Sequence, residues 1–469
     1  MLAAPPAAAQ QIQVAPPSGA PISFADLIER VRPAVVSISV RQRPDAAGPS
    51  VEGAPPGFEE FFRGRPGGNR PAPISLGSGF FVSADGVVVT NHHVVEGAES
   101  ITVRTSDGRE LQAELVGSDE PTDIAVLRVR SPSARVPFVT FSRNADVRVG
   151  DWVVAVGNPF GLDGTATAGI VSAMGRRDAG SSAYVDFLQI DAPINRGNSG
   201  GPTFDLRGRV IGVNSAIFSP TGGNVGIGFA IPADVASSIV DQILRSGHVT
   251  RGWLGVQVQP LDDDIARSLG LSESQGALVA SVVPDSPAAR GGVLQGDVIL
   301  KFDGADVQDS RDLTQRVGAA RIGSTARMDI LRSGQRRTLN IQLAERPAER
   351  TLASATPGQN GATPPQPGVT QHSALGLTVR PLTQQDRARY STLAANENGL
   401  VVVTVAPTSD LAEKGVQAGD LILLAAGQPV RTPAELDAAA DTAKRANRPL
   451  LLQIEGRGGR RFVAADVSE

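Results

Sequence analysis

Ile194-Asn195-Arg196-Gly197-Asn198-Ser199-Gly200-Gly201 is the stretch on which the reading of this sequence turns. A nucleophilic serine needs its hydroxyl on a tight turn, with backbone N–H groups nearby to hold an oxyanion. Glycines on both sides permit that turn and let a substrate backbone approach. Taken alone, the run also describes a glycine-rich hairpin of a β protein. It satisfies G-x-S-x-G as well, the elbow of α/β-hydrolases, in which the acid and then the histidine follow the serine. Here only His248 and His372 follow Ser199, one just past a helical pattern and one in a linker-like segment. His92 and His93 precede it, in Thr90-Asn91-His92-His93-Val94-Val95. The chain order argues against the elbow.

Outward from that stretch, residues 31–235 are dominated by short β patterns. The runs 35–40, 79–83, 86–90, 101–105, 124–129 and 152–157 are rich in Val and Ile, and 167–174, 210–217 and 226–232 follow. Punctuated by DG, GN and SG turns, they predict an all-β barrel or sandwich. Residues 235–247 carry helical spacing and a Gly stop, predicting a helix that closes the region. An all-β region with histidine and acid ahead of its serine has the chain order of a chymotrypsin-type barrel.

On an extended strand His92 and His93 would point to opposite faces, so they cannot share one role. That alternation argues against a two-histidine metal clamp, and no carboxylate or thiol cluster supports one. The residues alone leave the choice between the two histidines open. Among the acids, Asp123 abuts the apolar run 124–127, Asp119 sits in a polar turn before Pro121, and Asp107 lies in a solvated SDG turn. A triad acid must be dry enough to orient an imidazole. Asp123 meets that requirement best.

Composition narrows the class. At 469 residues the chain exceeds one compact domain. Its 52 Gly and 34 Pro imply many turns and linkers, and the absence of Cys removes thiol catalysis, disulfides and thiolate metal sites. Net charge is −4 with no Lys/Arg-rich stripe, which argues against nucleic acid as a partner. No run of about 18 apolar residues predicts a transmembrane segment. Residues 1–21 are small, uncharged and Pro-rich, with Ala7-Ala8-Ala9 before Gln10 like the cleavage end of a signal peptide. They read as a signal-peptide remnant or a disordered tail. Segments 42–74 and 346–372 are also linker-like, the first as an insertion within the β region.

The C-terminal part is an internal repeat. Leu254-Gly255-Val256 recurs as Leu375-Gly376-Leu377, and Gly276-Ala277-Leu278-Val279 as Gly399-Leu400-Val401-Val402. Gly296-Asp297-Val298-Ile299-Leu300 recurs as Gly419-Asp420-Leu421-Ile422-Leu423. Each copy combines strands with helical segments such as 286–292 and 433–444.

The motifs TNHHVV, TDIAVL and INRGNSGG, followed by two repeats of the LG…GD type, resemble those of the HtrA/DegP family of periplasmic serine proteases. The resemblance covers nearly all of the chain beyond residue 21. It implies a mainly β protein: a chymotrypsin-like double-barrel protease domain over 22–248, then PDZ domains over 251–345 and 373–466. It implies Ser199 as nucleophile, His93 (the histidine immediately before Val) as base and Asp123 as its orienting acid. Backbone N–H groups of Gly197 and Ser199 would form the oxyanion hole, with Asn198 shaping the turn. Six positions before the serine stands Pro193 where trypsin-like enzymes keep an acid, and Ile194 lines the pocket. Small aliphatic side chains such as Val or Ala would be preferred there.

The same resemblance implies peptide binding by the first PDZ domain through Arg251-Gly252-Trp253-Leu254-Gly255-Val256, by strand addition. The second, with Ser373-Ala374-Leu375-Gly376-Leu377, would serve assembly. Segment 42–74, with Phe58, Phe61 and Phe62, matches the family's regulatory loop, and Arg176 in loop 175–187 stands where a family arginine relays activation. Unfolded or misfolded polypeptides and C-terminal peptides are the implied partners, a homotrimer and higher cages the implied assembly, and the periplasm the implied location. No cofactor or metal is implied.

Overall fold

The Val/Ile runs become strands because β-branched side chains pack well on a pleated, half-buried surface. The computed structural model describes residues 23–42, 74–347 and 370–467, apart from 131–134, 144–145, 159–163, 177–181, 196, 220–222, 373–374, 388–389, 391–392, 394–396 and 457–458. The chain divides into two units, one ending at Val249 and the other beginning at Thr250.

The first unit holds two six-stranded closed barrels. One is built from β1 (Val35–Gln42), β2 (Ile74–Phe81), β3 (Val87–Thr90), β4 (Ala98–Arg104), β5 (Glu110–Asp119) and β6 (Ile124–Val129). The other uses β7 (Trp152–Gly157), β8 (Thr165–Arg176), β9 (Phe187–Ile190), β10 (Pro202–Phe204), β11 (Val210–Ile217) and β12 (Gly228–Pro232). The strand orders are β1-β2-β3-β6-β5-β4 and β10-β11-β12-β9-β8-β7, the same cyclic order in both barrels. Closure leaves neither sheet with an unpaired edge.

Phe80, Val89, Ile124 and Val126 of the first barrel share one buried cluster with Val154, Val156, Phe204, Val213 and Ile231 of the second. Each such side chain stabilises the fold by about 1.5–3 kcal/mol relative to exposure. The helix Ala233–Ser246 lays Ala236, Ile239, Val240 and Ile243 into that cluster and stops at Gly247, which takes φ 78°. The double barrel matches the architecture predicted from chain order. One local expectation does not hold: His92 and His93 lie on a short helical turn, His92–Val95, and not on an extended strand.

The second unit contains two sheets of related design. In the first repeat a pair of short strands, β13 (Gly252–Trp253) and β20 (Ala344–Glu345), accompanies the sheet β14 (Val256–Pro260), β15 (Ala277–Val282), β16 (Val298–Phe302), β18 (Thr325–Arg332) and β19 (Gln335–Gln342). A short β17 (Ala305–Asp306) pairs with β16. In the second repeat the order is β21 (Thr370–His372), β22 (Leu377–Pro381), β23 (Leu400–Val405), β24 (Leu421–Ala425), β26 (Leu450–Gly456) and β27 (Gly459–Ala465), with β25 (Gln428–Pro429) beside β24. The helices Ser310–Ala319 and Pro433–Arg445 start on side-chain caps from Asp309 and Thr432 and pack on their own sheets.

The repeats meet through Leu278 and Val298 from one and Leu451, Phe462 and Ala464 from the other. Gln259 donates to the Phe462 carbonyl (3.1 Å) and accepts from the Phe462 N–H (2.7 Å), while Lys414 pairs with Asp264 at 2.6 Å. Among the described residues no helix is long and apolar enough to cross a membrane.

Candidate active site

Between β5 and β6 the chain makes a single 3-10 turn, Glu120–Thr122. Asp119 caps it, accepting from the Thr122 N–H at 3.1 Å and from the Thr122 hydroxyl, so this buried acid is committed locally. Asp123 follows at φ 56°, in the left-handed region that Asp tolerates better than most residues. Its backbone carbonyl accepts from the His92 N–H (3.2 Å) and from Asn91 Nδ2 (2.9 Å). The acid is therefore tied to the histidine segment by its main chain as well as its side chain.

The Asp123 carboxylate then receives three groups. Oδ1 accepts from the His93 N–H (3.1 Å), His93 Nδ1 stands 2.9 Å from both Oδ1 and Oδ2, and the Ser215 hydroxyl donates to Oδ2 at 2.7 Å. Burial opposes ionisation here. The charge of His93, its hydrogen bonds and the Ser215 hydroxyl outweigh that penalty and hold the carboxyl below the usual carboxylate range. An ionised carboxylate can only accept, so the Nδ1 that faces it is the donor of the pair, which leaves Nε2 as the ring nitrogen turned away from Asp123. The neighbouring ring of His92 points elsewhere, with Nδ1 3.0 Å from Ser118 Oγ. Geometry thus gives the two histidines different partners, a distinction that the residues alone left open. Asp107 is exposed and paired with Arg109.

Ser199 sits on a turn whose backbone is fastened on both sides. The Asn198 N–H donates to the Asn195 carbonyl (3.0 Å), Gly200 to Asn214 (2.8 Å) and Gly201 to Asn198 (3.0 Å). Gly197 at φ 96° and Gly200 at φ 82° use backbone conformations that a side chain would strain. A Cβ on Gly200 would stand 2.3 Å from Thr90 Oγ1 and from the Ser78 carbonyl, and 3.1 Å from the Asn91 nitrogen. The serine turn is therefore pressed against the end of β3, next to the segment that carries His93. Among the described residues no hydrogen bond occupies the N–H groups of Gly197 or Ser199, whereas that of Asn198 is used inside the turn.

Two serines outside the motifs organise this site. Ser215, on β11, orients Asp123 from the second barrel. Ser78, on β2, donates its N–H to the Ser199 carbonyl (2.9 Å) and its hydroxyl to the Gly197 carbonyl, and its Oγ accepts from the Asn158 N–H (2.8 Å). Neither carries a sequence signal, because their partners lie 92 and 119 residues away.

Ile194 is fully buried with Ile190 and Ile217, and its side chain lies 3.0 Å from where a Cβ on Gly228 would be. Pro193 is exposed, its carbonyl accepting from Thr167 Oγ1. Arg176 ends β8 and donates to Gln189 on β9 at 2.8 Å. Phe58, Phe61 and Phe62 lie outside the described residues.

In the second unit, Arg251 through Val256 form the approach to the β14 edge. Gly252 and Trp253 pair with β20, Leu254 is buried, and Gly255 takes φ 78°. A Cβ on Gly255 would meet Ser286 Cβ at 2.2 Å, and the Gly255 carbonyl accepts from the Val283 N–H (2.9 Å). β14 pairs with β15 on one side only, and the helix Ser310–Ala319 packs beside it. Val256 and Val258 are only partly buried there. Among the described residues β14 is an edge strand, and an edge strand is where an extended peptide can add to a sheet.

Comparison with known proteins agrees with this architecture. Residues 77–213 match the trypsin-like peptidase domain family, and residues 252–343 match the PDZ domain family. The chain is 43% identical to a probable periplasmic serine endoprotease, DegP-like, of Brucella melitensis biotype 1, over 99% of this chain and 93% of that one. It is also 43% identical to a protein of the same description from Rhizobium meliloti, over 95% and 92%. Among solved structures, the HtrA-type protease AlgW with decapeptide shares 42% identity at a TM-score of 0.59, covering 70% of this chain and 100% of that one.

Proposed function

The chain belongs to the DegP-like, HtrA-type family of serine endoproteases, and from that premise we propose a mechanism in which Ser199 is the nucleophile, His93 the base and Asp123 the acid that orients it. The observation that carries this reading is the carboxylate of Asp123, shared by His93 and Ser215 in a buried setting. The Ser199 hydroxyl attacks the peptide carbonyl carbon while His93 Nε2 takes its proton. The N–H groups of Gly197 and Ser199 receive the oxyanion, and each such donor lowers the barrier by about 3 kcal/mol. Collapse of the intermediate expels the amine, which leaves with the proton from His93. Water then attacks the acyl-enzyme by the same route and frees Ser199.

The buried Ile194 and the exposed Pro193 support a pocket for small aliphatic residues, since no acid stands at 193 to pair with a basic side chain. The substrates of this reading are unfolded or misfolded polypeptides, because cleavage needs an extended segment to reach Ser199. The open edge of β14 supports capture of C-terminal peptides by the first repeat, with Arg251 through Val256 as the carboxylate loop. The names of the relatives support a periplasmic location, and family membership supports a homotrimeric unit that builds larger cages. Arg176, with Phe58, Phe61 and Phe62, is assigned to control of activity.

Cleavage-site mapping on a denatured protein, with and without a C-terminal peptide, tests this reading. Cuts after Val and Ala that accelerate with the peptide are expected. Cuts after Lys or Arg would overturn the pocket assignment, and indifference to peptide would overturn the role of the first repeat.

A further inference from the structure

The two repeats keep the same glycine turn and treat the strand beside it in opposite ways. In the first, Gly255 takes φ 78°, its carbonyl accepts from Val283, and a Cβ there would strike Ser286. In the second, Gly376 takes φ 61°, its carbonyl accepts from the Ala406 N–H at 2.7 Å, and a Cβ would stand 2.5 Å from Ser409 Cβ. Ser286 and Ser409 each cap the short helix that follows. The turn at this glycine is thus built twice.

The edges differ. β14 is the last strand of its sheet, whereas its counterpart β22 is covered by β21. The pairing is antiparallel, with Thr370 opposite Val379, Gln371 opposite Thr378 and His372 opposite Leu377. β21 runs toward the loop, which is the direction an extended peptide takes when its C-terminus enters such a loop. Burial agrees: Leu377 and Val379 are 1% and 0% exposed, while Val256 and Val258 at the open edge are only partly covered.

Sequence gives a cause. In the first repeat the chain before the loop leaves the edge by passing the end of the helix Ser310–Ala319, where a Cβ on Gly252 would stand 2.2 Å from the Val317 carbonyl. The repeat offset puts Ser373 at that position in the second copy. A side chain bars such an approach.

We infer that residues 370–372 occupy the peptide edge of the second repeat as a built-in ligand, so that this repeat takes no C-terminal peptide until β21 is released. The inference rests on the reading that the first repeat takes peptides at β14. The test is isothermal titration of the full chain, carrying Ser199→Ala to prevent cleavage, with a decapeptide that ends in an apolar residue and a free carboxylate. One peptide per chain is expected for that parent and two for Thr370→Pro/Gln371→Pro, since proline removes the N–H groups that pairing needs. Equal stoichiometry in both would overturn the inference. If the first repeat does not bind, both counts fall by one and the difference persists, so the two readings fail separately.

A second variant guards against misfolding. The chain has no cysteine, so Gln371→Cys/Thr378→Cys places one thiol pair on directly opposed residues. Opposed Cα atoms lie about 4.5–5.5 Å apart, within disulfide range. Spontaneous bridging, with one peptide bound when oxidised, is expected. Failure to bridge under oxidising conditions, or two peptides bound by the bridged chain, would overturn the inference.

Discussion

In chain order, each barrel closes its six strands one-two-three-six-five-four, yet the two contribute different kinds of chemistry. The first supplies side chains. His93 rides a four-residue helical turn after β3 and Asp123 a left-handed position before β6, and the two are joined by hydrogen bonds from ring and main chain. The second supplies a glycine turn at 197–201 that carries Ser199 among fastened backbone groups, and Ser215, which reaches back to the acid. The first barrel should therefore be sensitive to which side chain stands at 93 and 123, and the second both to the hydroxyl of Ser199 and to any side chain added at its glycines.

Six substitutions test that contrast. Ser199→Ala and His93→Ala should each lower kcat by about 10⁶-fold, as for other triads whose members act as a unit. His92→Ala, whose ring meets only Ser118 among these groups, should cost far less, and equal losses at 92 and 93 in a peptide-hydrolysis assay would break the assignment. Asp123→Asn should lower kcat by about 10⁴-fold with the fold intact, because an amide favours the wrong tautomer.

Asp123 also sets a pH signature. Its folded pKa is depressed, so its contribution to stability is present above the ordinary carboxylate value of about 4 and is lost as pH falls through the lower folded value. The stability gap between wild type and Asp123→Asn, read by urea unfolding, should stay level from pH 8 to 5 and close only in stronger acid.

In the second barrel, Gly200→Ala should reduce kcat by about 10²–10³-fold, comparable to losing an oxyanion donor. It forces a Cβ into Thr90 and the Ser78 carbonyl at a positive φ. Wild-type activity in that variant would break the claim that backbone geometry governs the serine turn. Ser215→Ala is the smallest, about 10–10²-fold in kcat, from removing one hydrogen bond to a charged group worth about 1.5–3 kcal/mol. Its loss should appear in kcat with KM little changed.

Much of the barrel architecture was legible because Val/Ile runs at 124–129, 152–157 and 210–217 coincide with β6, β7 and β11. The serine turn was legible because glycine is required at fixed offsets around Ser199. The helical turn His92–Val95 was not, since four residues carry no periodicity and the Val-rich strand before them extends the β pattern. Ser78 and Ser215 were hidden for another reason: single serines inside strands look like ordinary half-buried positions until their distant partners are known. The repeat was legible from LG…GD spacing. β21 was not, because Thr370, Gln371 and His372 continue a Pro- and Gly-rich segment.

In the proposed mechanism Ser199 is the activated nucleophile of a site assembled from both barrels. Labelling of the wild-type chain with a fluorophosphonate, followed by peptide mapping, tests it most directly. A single adduct is expected on the peptide containing Ser199, absent from Ser199→Ala and strongly slowed in His93→Ala. An adduct on another residue, or labelling that persists in Ser199→Ala, would contradict it.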